Sequence, residues 1–485
     1  MHLSTFPTDI NLLTATIEEL QAHLAKGTLT SVHLVQQYLV SFDDAFKIYE
    51  TNIKDGASLA YMKRNIEAND EQGLELRTML SVAPEEKLVK IAQGLDQSRQ
   101  QGKVLSLLHG IPILLKDSIA TDPELGMKTT AGSLALAGSI VNGDAPVIAK
   151  LRAEGAIFLG KTNMSKLSMF MGKKPNGFSA LGGQCQSAYV RGGDPSGSSS
   201  GCAVGTAGGF AATALGHDTF GSIEIPAARS ALFSIKPSGG LVSRKGLVPT
   251  SNTFDTIGPM AKSTYDTALL LDIIAGQVAV AESTSRANSL KRDDYRRNTK
   301  LPYATFKGKK LVVPRKYIFD DGVWGQWGNG PELIEKVQEA FDAAIGKMKS
   351  LGASITDPSD VPSLEALSGT LGSVTKAVAC LEFKDSVEAY LRMLKESKVR
   401  SLQDLVRFNE DHAANDIELL QGEASQSQAP GAKDTTSAEY KEAQNSLNRI
   451  AEEQGVGALL DTLKVNALIA PFSYRIQRYA GLSRK

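Results

Sequence analysis

The apolar positions of this chain change period along its length. In the first hundred residues they recur every three or four positions, the spacing of a helix with one buried face. Thr16-Ile17-Glu18-Glu19 is a capping box, in which a hydroxyl and a carboxylate satisfy N–H groups that a helix start leaves without partners. Ile17, Leu20 and Leu24 then share a face, and Gly27 marks the stop. A second helix is expected from about Thr30, and residues 85–102 read as a polar, exposed one.

Further on, helices alternate with short unbroken apolar runs. Ile111-Pro112-Ile113-Leu114-Leu115 and Ala156-Ile157-Phe158-Leu159 are candidate buried strands. Between them Asp144-Ala145-Pro146 reads as a helix start with an Asp cap, and Val147, Ile148, Leu151 and Gly155 supply its face and its end. The small residues from Ala203 to Leu215 suggest a tightly packed helix. Ser263 caps another helix through Leu269, Leu270 and Ile273. Lys310-Leu311-Val312-Val313 and Ala467-Leu468-Ile469-Ala470-Pro471 are further strands, and Leu333, Val337, Phe341, Ala344, Met348 and Leu351 mark a long amphipathic helix. Residues 281–300 and 421–437 read as loops. The alternation predicts an α/β fold: a mixed, largely parallel sheet with helices on both faces.

Composition adds exclusions. Lys+Arg and Asp+Glu both number 53. A balance of zero argues against nucleic acid as a partner and against a polybasic membrane anchor. Cys185, Cys202 and Cys380 form no metal spacing and read as free thiols of a reducing compartment. With no leader pattern at the start and no apolar run long enough to span a bilayer, the expected location is cytoplasmic.

Two motif matches fail on context. Gly155-Ala156-Ile157-Phe158-Leu159-Gly160-Lys161-Thr162 fits the phosphate-loop pattern letter for letter, but a helix precedes it and a buried strand fills its middle. Gly197-Ser198-Ser199-Ser200-Gly201 fits the nucleophile elbow of α/β-hydrolases, yet a polar loop stands where that elbow needs a strand.

A third constellation is composite. Lys116 ends the run Gly110-Ile111-Pro112-Ile113-Leu114-Leu115. The serine-rich loop Gly197–Gly201 follows, then Asp218-Thr219-Phe220-Gly221-Ser222-Ile223-Glu224. In this order, with Leu108-His109-Gly110-Ile111-Pro112, Leu159-Gly160-Lys161-Thr162-Asn163-Met164, Lys236-Pro237 and Asp255-Thr256-Ile257-Gly258-Pro259-Met260, the chain resembles the amidase signature family. The resemblance runs from near the N-terminus to about residue 472. It implies one amidase-type domain over 1–485, with a helical region at 1–100, the signature core at 101–280, a C-terminal α/β part at 303–472 and a divergent tail at 473–485. It also implies a Ser–Ser–Lys triad: Lys116 the base, Ser198 the bridging serine in a cis peptide unit with Gly197, and Ser222 the nucleophile. The separation 222 − 198 = 24 agrees with the family pattern. The N–H groups of Thr219, Phe220, Gly221 and Ser222 are the natural oxyanion hole. The substrate class implied is a small-molecule amide, cleaved without cofactor or metal; oligomeric state is left open.

The chain departs from the family in places. Phe220 stands where a glycine is usual, and would be strained if that position needs φ > 0. Ala231 and Ser234 replace two further glycines. Glu224 replaces an arginine; it could restrict anionic acyl groups or pair with a surface cation. Past Ala470-Pro471 the sequence Phe472-Ser473-Tyr474-Arg475-Ile476-Gln477 no longer follows the family, whose members continue with further strands. These departures keep two other readings open: a catalytically inactive binding or scaffold protein of the same fold, and the amide-transferring subunit of a glutamine-dependent complex.

Overall fold

The computed structural model describes residues 10–43, 76–170, 175–276, 294–300, 305–315, 319, 331–359, 362–412 and 434–471. The expected tail at 473–485, most of the loop at 281–300 and residues 421–433 of the second loop lie outside the described residues. The chain packs as two compact units. One comprises Met1–Arg296 with Glu382–Ala432, the other Arg297–Leu381 with Lys433–Lys485.

The first unit opens with helices α1 (Ile17–Lys26) and α2 (Ser31–Asp43). The capping box forms as expected: Glu19 N–H donates to the Thr16 hydroxyl, and Gly27 closes the helix at φ 72°. Strand β1 (Met79–Val82), helix α3 (Glu85–Gln100) and strand β2 (Pro112–Lys116) follow. Helix α4 (Pro146–Ala153) leads to β3 (Ile157–Thr162). Here the sequence reading needs correction: Ala145, not Asp144, is the N-cap, and no side chain caps it. Asp144 instead accepts from the Asp122 N–H and pairs with Arg152 at 2.7 Å.

A small hairpin, β4 (Phe178–Ser179) and β5 (Gly183–Gln184), precedes helix α5 (Ser200–Ala207) and strand β6 (Thr213–Asp218). The small-residue run read as one helix is thus a short helix, a turn and a strand. Gly201 shows why the residues are small. A Cβ there would lie 2.3 Å from Thr78 O and 2.6 Å from Asn163 O, so the helix start packs directly on backbone. Helix α6 (Glu224–Arg229), strands β7 (Phe233–Ser234) and β8 (Thr256–Ala261), and helix α7 (Thr264–Ile274) complete the pattern. Ser263 caps α7, accepting from the Asp266 N–H as its sequence predicts.

The sheet is mixed, with order β1-β3-β2-β6-β8-β7. Its centre, β3-β2-β6, is parallel, and the strands outside it are antiparallel. Ile113, Leu114, Leu115, Leu159, Ala214, Leu215 and Ile257 are fully buried, which is why the central strands read as unbroken apolar runs. Lys116 and Asp218 end two neighbouring parallel strands, at the carboxyl edge where open α/β sheets bind ligands.

The second unit has its own parallel sheet, β10 (Ser354–Thr356), β9 (Lys310–Val312) and β11 (Ala467–Leu468), with β9 central. The amphipathic helix Pro331–Ser350 places Phe341 and Ile345 against Val313, and Phe319, Met348, Ile355 and Ile469 close that core.

Candidate active site

Strand β2 delivers Lys116 into a dry interior. Its amine is fully buried and donates to Ser198 Oγ at 2.7 Å and to the His217 carbonyl at 2.8 Å. Burial lowers its pKa to about 7, although Cys202, Asp218 and Asp255 all favour the charged form. Desolvation of an ammonium with no adjoining carboxylate is the dominant effect.

Ser198 lies in the loop before α5, and the Gly197–Ser198 peptide is cis. Its carbonyl accepts from the Ser165 N–H at 3.1 Å. Ser199 holds the loop to β6: its hydroxyl donates to the His217 carbonyl at 3.0 Å, and the His217 N–H donates back to it. The Ser199 N–H donates to the Ser222 carbonyl at 3.1 Å, which fastens the serine loop to the turn carrying Ser222. Ser222 is 9% exposed while Lys116 and Ser198 are at 0%, so of the three it is the one that solvent reaches.

The turn from Thr219 to Ser222 is built on Asp218. Its carboxylate accepts from the Gly221 N–H at 2.9 Å, the Ile223 N–H at 2.5 Å and Lys236 Nζ at 2.5 Å. Lys236 also donates to the Thr219 carbonyl at 2.8 Å. Burial alone would raise the Asp218 pKa, but Lys236 and the two N–H groups hold it below the usual range. The Gly221 N–H faces Asp218 and is spent on the turn, whereas the N–H groups of Thr219, Phe220 and Ser222 have no protein acceptor among the described residues. The left-handed residue of the turn is Gly221, at φ 94°, and Phe220 escapes the strain feared for it. Its ring packs on Phe254, with centroids 4.7 Å apart.

The other departures also resolve. Ala231 does sit at φ 52°, the left-handed region that favours the missing glycine. Among the described residues no cation pairs with Glu224. Its Oε2 is buried without a partner, and burial followed by the Asp218 charge raises its pKa to about 7.

Lys161, the lysine of the phosphate-loop pattern, lies within β3. Its buried amine donates to the Ile119 carbonyl and to Thr129 Oγ1 at 3.0 Å, which is structural work. The elbow pattern likewise lacks its strand: irregular chain precedes Gly197, and helix α5 begins at Ser200. No group of metal-ligating side chains occurs among the described residues, nor does any helix there have the length and apolarity to cross a membrane. The three cysteines are buried and form no disulfide.

Sequence reasoning missed four supporting residues: His217, Asp218, Lys236 and Asp255. Asp218, Lys236 and Asp255 lay within quoted family stretches, but nothing local tied Lys236 to Asp218 or Asp255 to His217.

The structure thus brings together a buried lysine hydrogen-bonded to Ser198 and a turn carrying Ser222 that the Ser199 N–H fastens to the same loop. The amidase family's sequence profile matches residues 59–475. A probable amidase of Arabidopsis thaliana is 32% identical over 455 residues, 92% of this chain and 79% of that protein. A relative in Arthroderma benhamiae, also named an amidase, is 33% identical over 83% of this chain, and the alignment spans 64% of that protein's length. The crystal structure of peptide amidase from Stenotrophomonas maltophilia is similar at a TM-score of 0.78 and 30% identity, covering 98% of this chain and 89% of that one. The chain belongs to the amidase family and is an amide hydrolase.

Proposed function

We propose that the chain hydrolyses a small-molecule carboxamide to a carboxylate and an amine or ammonia through an acyl-enzyme on Ser222. The observation that carries this is the 2.7 Å hydrogen bond between a desolvated Lys116 amine and Ser198 Oγ. A serine hydroxyl needs a base to become a nucleophile, and a lysine serves only when neutral. In this mechanism neutral Lys116 takes the Ser198 proton while Ser198 takes the Ser222 proton. Ser222 Oγ bonds to the amide carbon, and the oxyanion falls to the N–H groups of Thr219, Phe220 and Ser222. The relay then runs backwards. Lys116 returns its proton through Ser198 to the amide nitrogen, and the C–N bond breaks with a neutral amine leaving. Water, deprotonated along the same path, releases the carboxylate and restores Ser222.

The kinship to a peptide amidase supports a linear amide as substrate. The test is a serine-directed fluorophosphonate with the adduct mapped by mass spectrometry. A single adduct on Ser222, lost in Lys116→Ala, is the expected result. A folded protein that takes no label, or takes it elsewhere, would favour the inactive binding protein instead.

A further inference from the structure

The His217 imidazole has no part in the steps above, yet it is fully buried at their centre. Its Nε2 is buried 3.2 Å from Asp255 Oδ1, a close approach that falls short of hydrogen-bond geometry and leaves that nitrogen without another partner. Its Nδ1 faces Ser118 Oγ at 3.4 Å and Ser168 Oγ at 3.5 Å. The backbone of the same residue carries the carbonyl that accepts from Lys116 Nζ. Asp255 is held on its far side. Oδ2 accepts from the Thr250 N–H at 2.7 Å and the Ser251 N–H at 2.9 Å, while Oδ1 accepts from Thr219 Oγ1 at 2.7 Å. One ring thus joins the residue that orients the amine to the carboxylate that anchors the nucleophile turn.

We propose that His217 and Asp255 form a positioning pair for Lys116: the neutral ring caps the Asp255 carboxylate and fixes the carbonyl that aims the amine at Ser198. The pair rests on the reading of Lys116 as the base. Neither residue touches the reacting atoms.

The charges facing the amine explain why a cap is needed. Cys202, Asp218 and Asp255 each favour the protonated lysine. Lys236 offsets Asp218 through a direct ion pair. Among the described residues Asp255 has no such cation, and the Nε2 side of His217 is what faces its Oδ1. Burial keeps the ring neutral, outweighing the pull of Asp255 and Asp218, while Lys116 disfavours a second cation beside it. Asp255 itself stays ionised: burial opposes this, but His217 and the Thr250 and Ser251 N–H groups prevail. Removing the ring leaves the carboxylate less compensated, so Lys116 holds its proton to higher pH. Removing the carboxylate's charge does the reverse.

The test reads the amine directly and needs no turnover. Protein labelled with 13Cε-lysine is titrated by NMR, with the Lys116 signal assigned by its loss in Lys116→Arg. In the wild type the expected midpoint is about 7. His217→Ala raises it by about one unit, a roughly tenfold loss of neutral amine below the midpoint. His217→Gln, whose amide N–H can still reach Asp255, restores it. A midpoint unmoved in folded His217→Ala, or displaced as far in His217→Gln, overturns the proposal. Where His217→Ala does not fold, Asp255→Asn decides: a lowered midpoint supports the pair, and an unchanged or raised one overturns it. Failure of Ser222 to take a fluorophosphonate would remove the hydrolytic mechanism without altering any of these midpoints, so the two failures are distinguishable.

Discussion

Asp218→Asn tests how the nucleophile turn is held. The substitution keeps the shape and removes the charge. In the wild type Oδ1 takes Lys236 Nζ and the Gly221 N–H, and Oδ2 takes the Ile223 N–H. An asparagine can keep only one of these sides. The better choice leaves its oxygen toward Lys236 and its NH₂ toward the Ile223 N–H, donor against donor. A buried N–H left without an acceptor costs about 1–3 kcal/mol. The Lys236 side chain is 8% exposed and loses its counter-ion, and breaking a buried pair costs about 3–5 kcal/mol. These overlap, because the retained oxygen still accepts from Lys236, so the expected loss is about 3–5 kcal/mol in all. The pH dependence has a definite sign. Since Asp218 is held below its ordinary range, its contribution is full above the unfolded carboxylate value of about 4 and fades as pH falls through the lower folded value. Asp218's own share of the gap between wild type and variant in urea unfolding should therefore be complete by about pH 5 and narrow only in stronger acid, while Glu224 and Lys116, whose titration near 7 the Asp218 charge shifts, add a slope around neutrality. Activity should fall as well, because misplacing a nucleophile by about 1 Å costs on the order of 100-fold. A gap under about 1 kcal/mol, with kcat/KM within threefold of wild type, would refute the claim that this carboxylate supports the turn.

Other expectations follow from the same geometry. Because only neutral Lys116 can accept a proton, kcat/KM should rise with pH through about 7 and level off above it; a flat profile across that value would remove Lys116 as the base. Lys161→Met should lower the unfolding midpoint, leaving the Ile119 carbonyl and Thr129 Oγ1 without their donor at a cost of about 1–3 kcal/mol, while folded protein still takes the fluorophosphonate on Ser222. Ala231→Gly should stabilise by about 1 kcal/mol, since Ala231 pays for a left-handed φ of 52°; a lower thermal midpoint would count against that.

How much of this was legible in the sequence depends on the range of the interaction concerned. The capping box at Thr16, the Ser263 cap and the central strands β2 and β3 were readable, because each is decided within a few residues. Asp144 misled because the local cap pattern was outbid by Arg152 and the Asp122 N–H, and the geometry of that contest is tertiary. The run Ala203–Leu215 misled for a related reason: small residues allow a close approach, and they do not say whether helix or strand makes it. At the site, family spacing singled out Lys116, Ser198 and Ser222. It could not show which N–H groups the turn consumes for its own support. Gly221 is the instance, since its donor is used by an aspartate three residues earlier.

The residues that the sequence left silent share a physical task. In the proposed mechanism Lys116 must lose its proton near neutrality, which requires a dry surrounding, and a dry surrounding makes each unpaired polar group costly. The site therefore needs ionised groups close enough to build the turn but compensated so that they do not hold the lysine charged. Asp218 meets this with Lys236, and Asp255 meets it with the three donors on its oxygens and the His217 ring beside it. Both solutions bring together segments 18 residues or more apart in sequence, Asp218 with Lys236 and His217 with Asp255, by way of the antiparallel β6–β8 pairing. The chemistry of Lys116 and the topology of the sheet are thus one problem. The parallel strands β2 and β6 bring the amine to the edge, and the antiparallel neighbour β8 brings the carboxylate that the ring caps there.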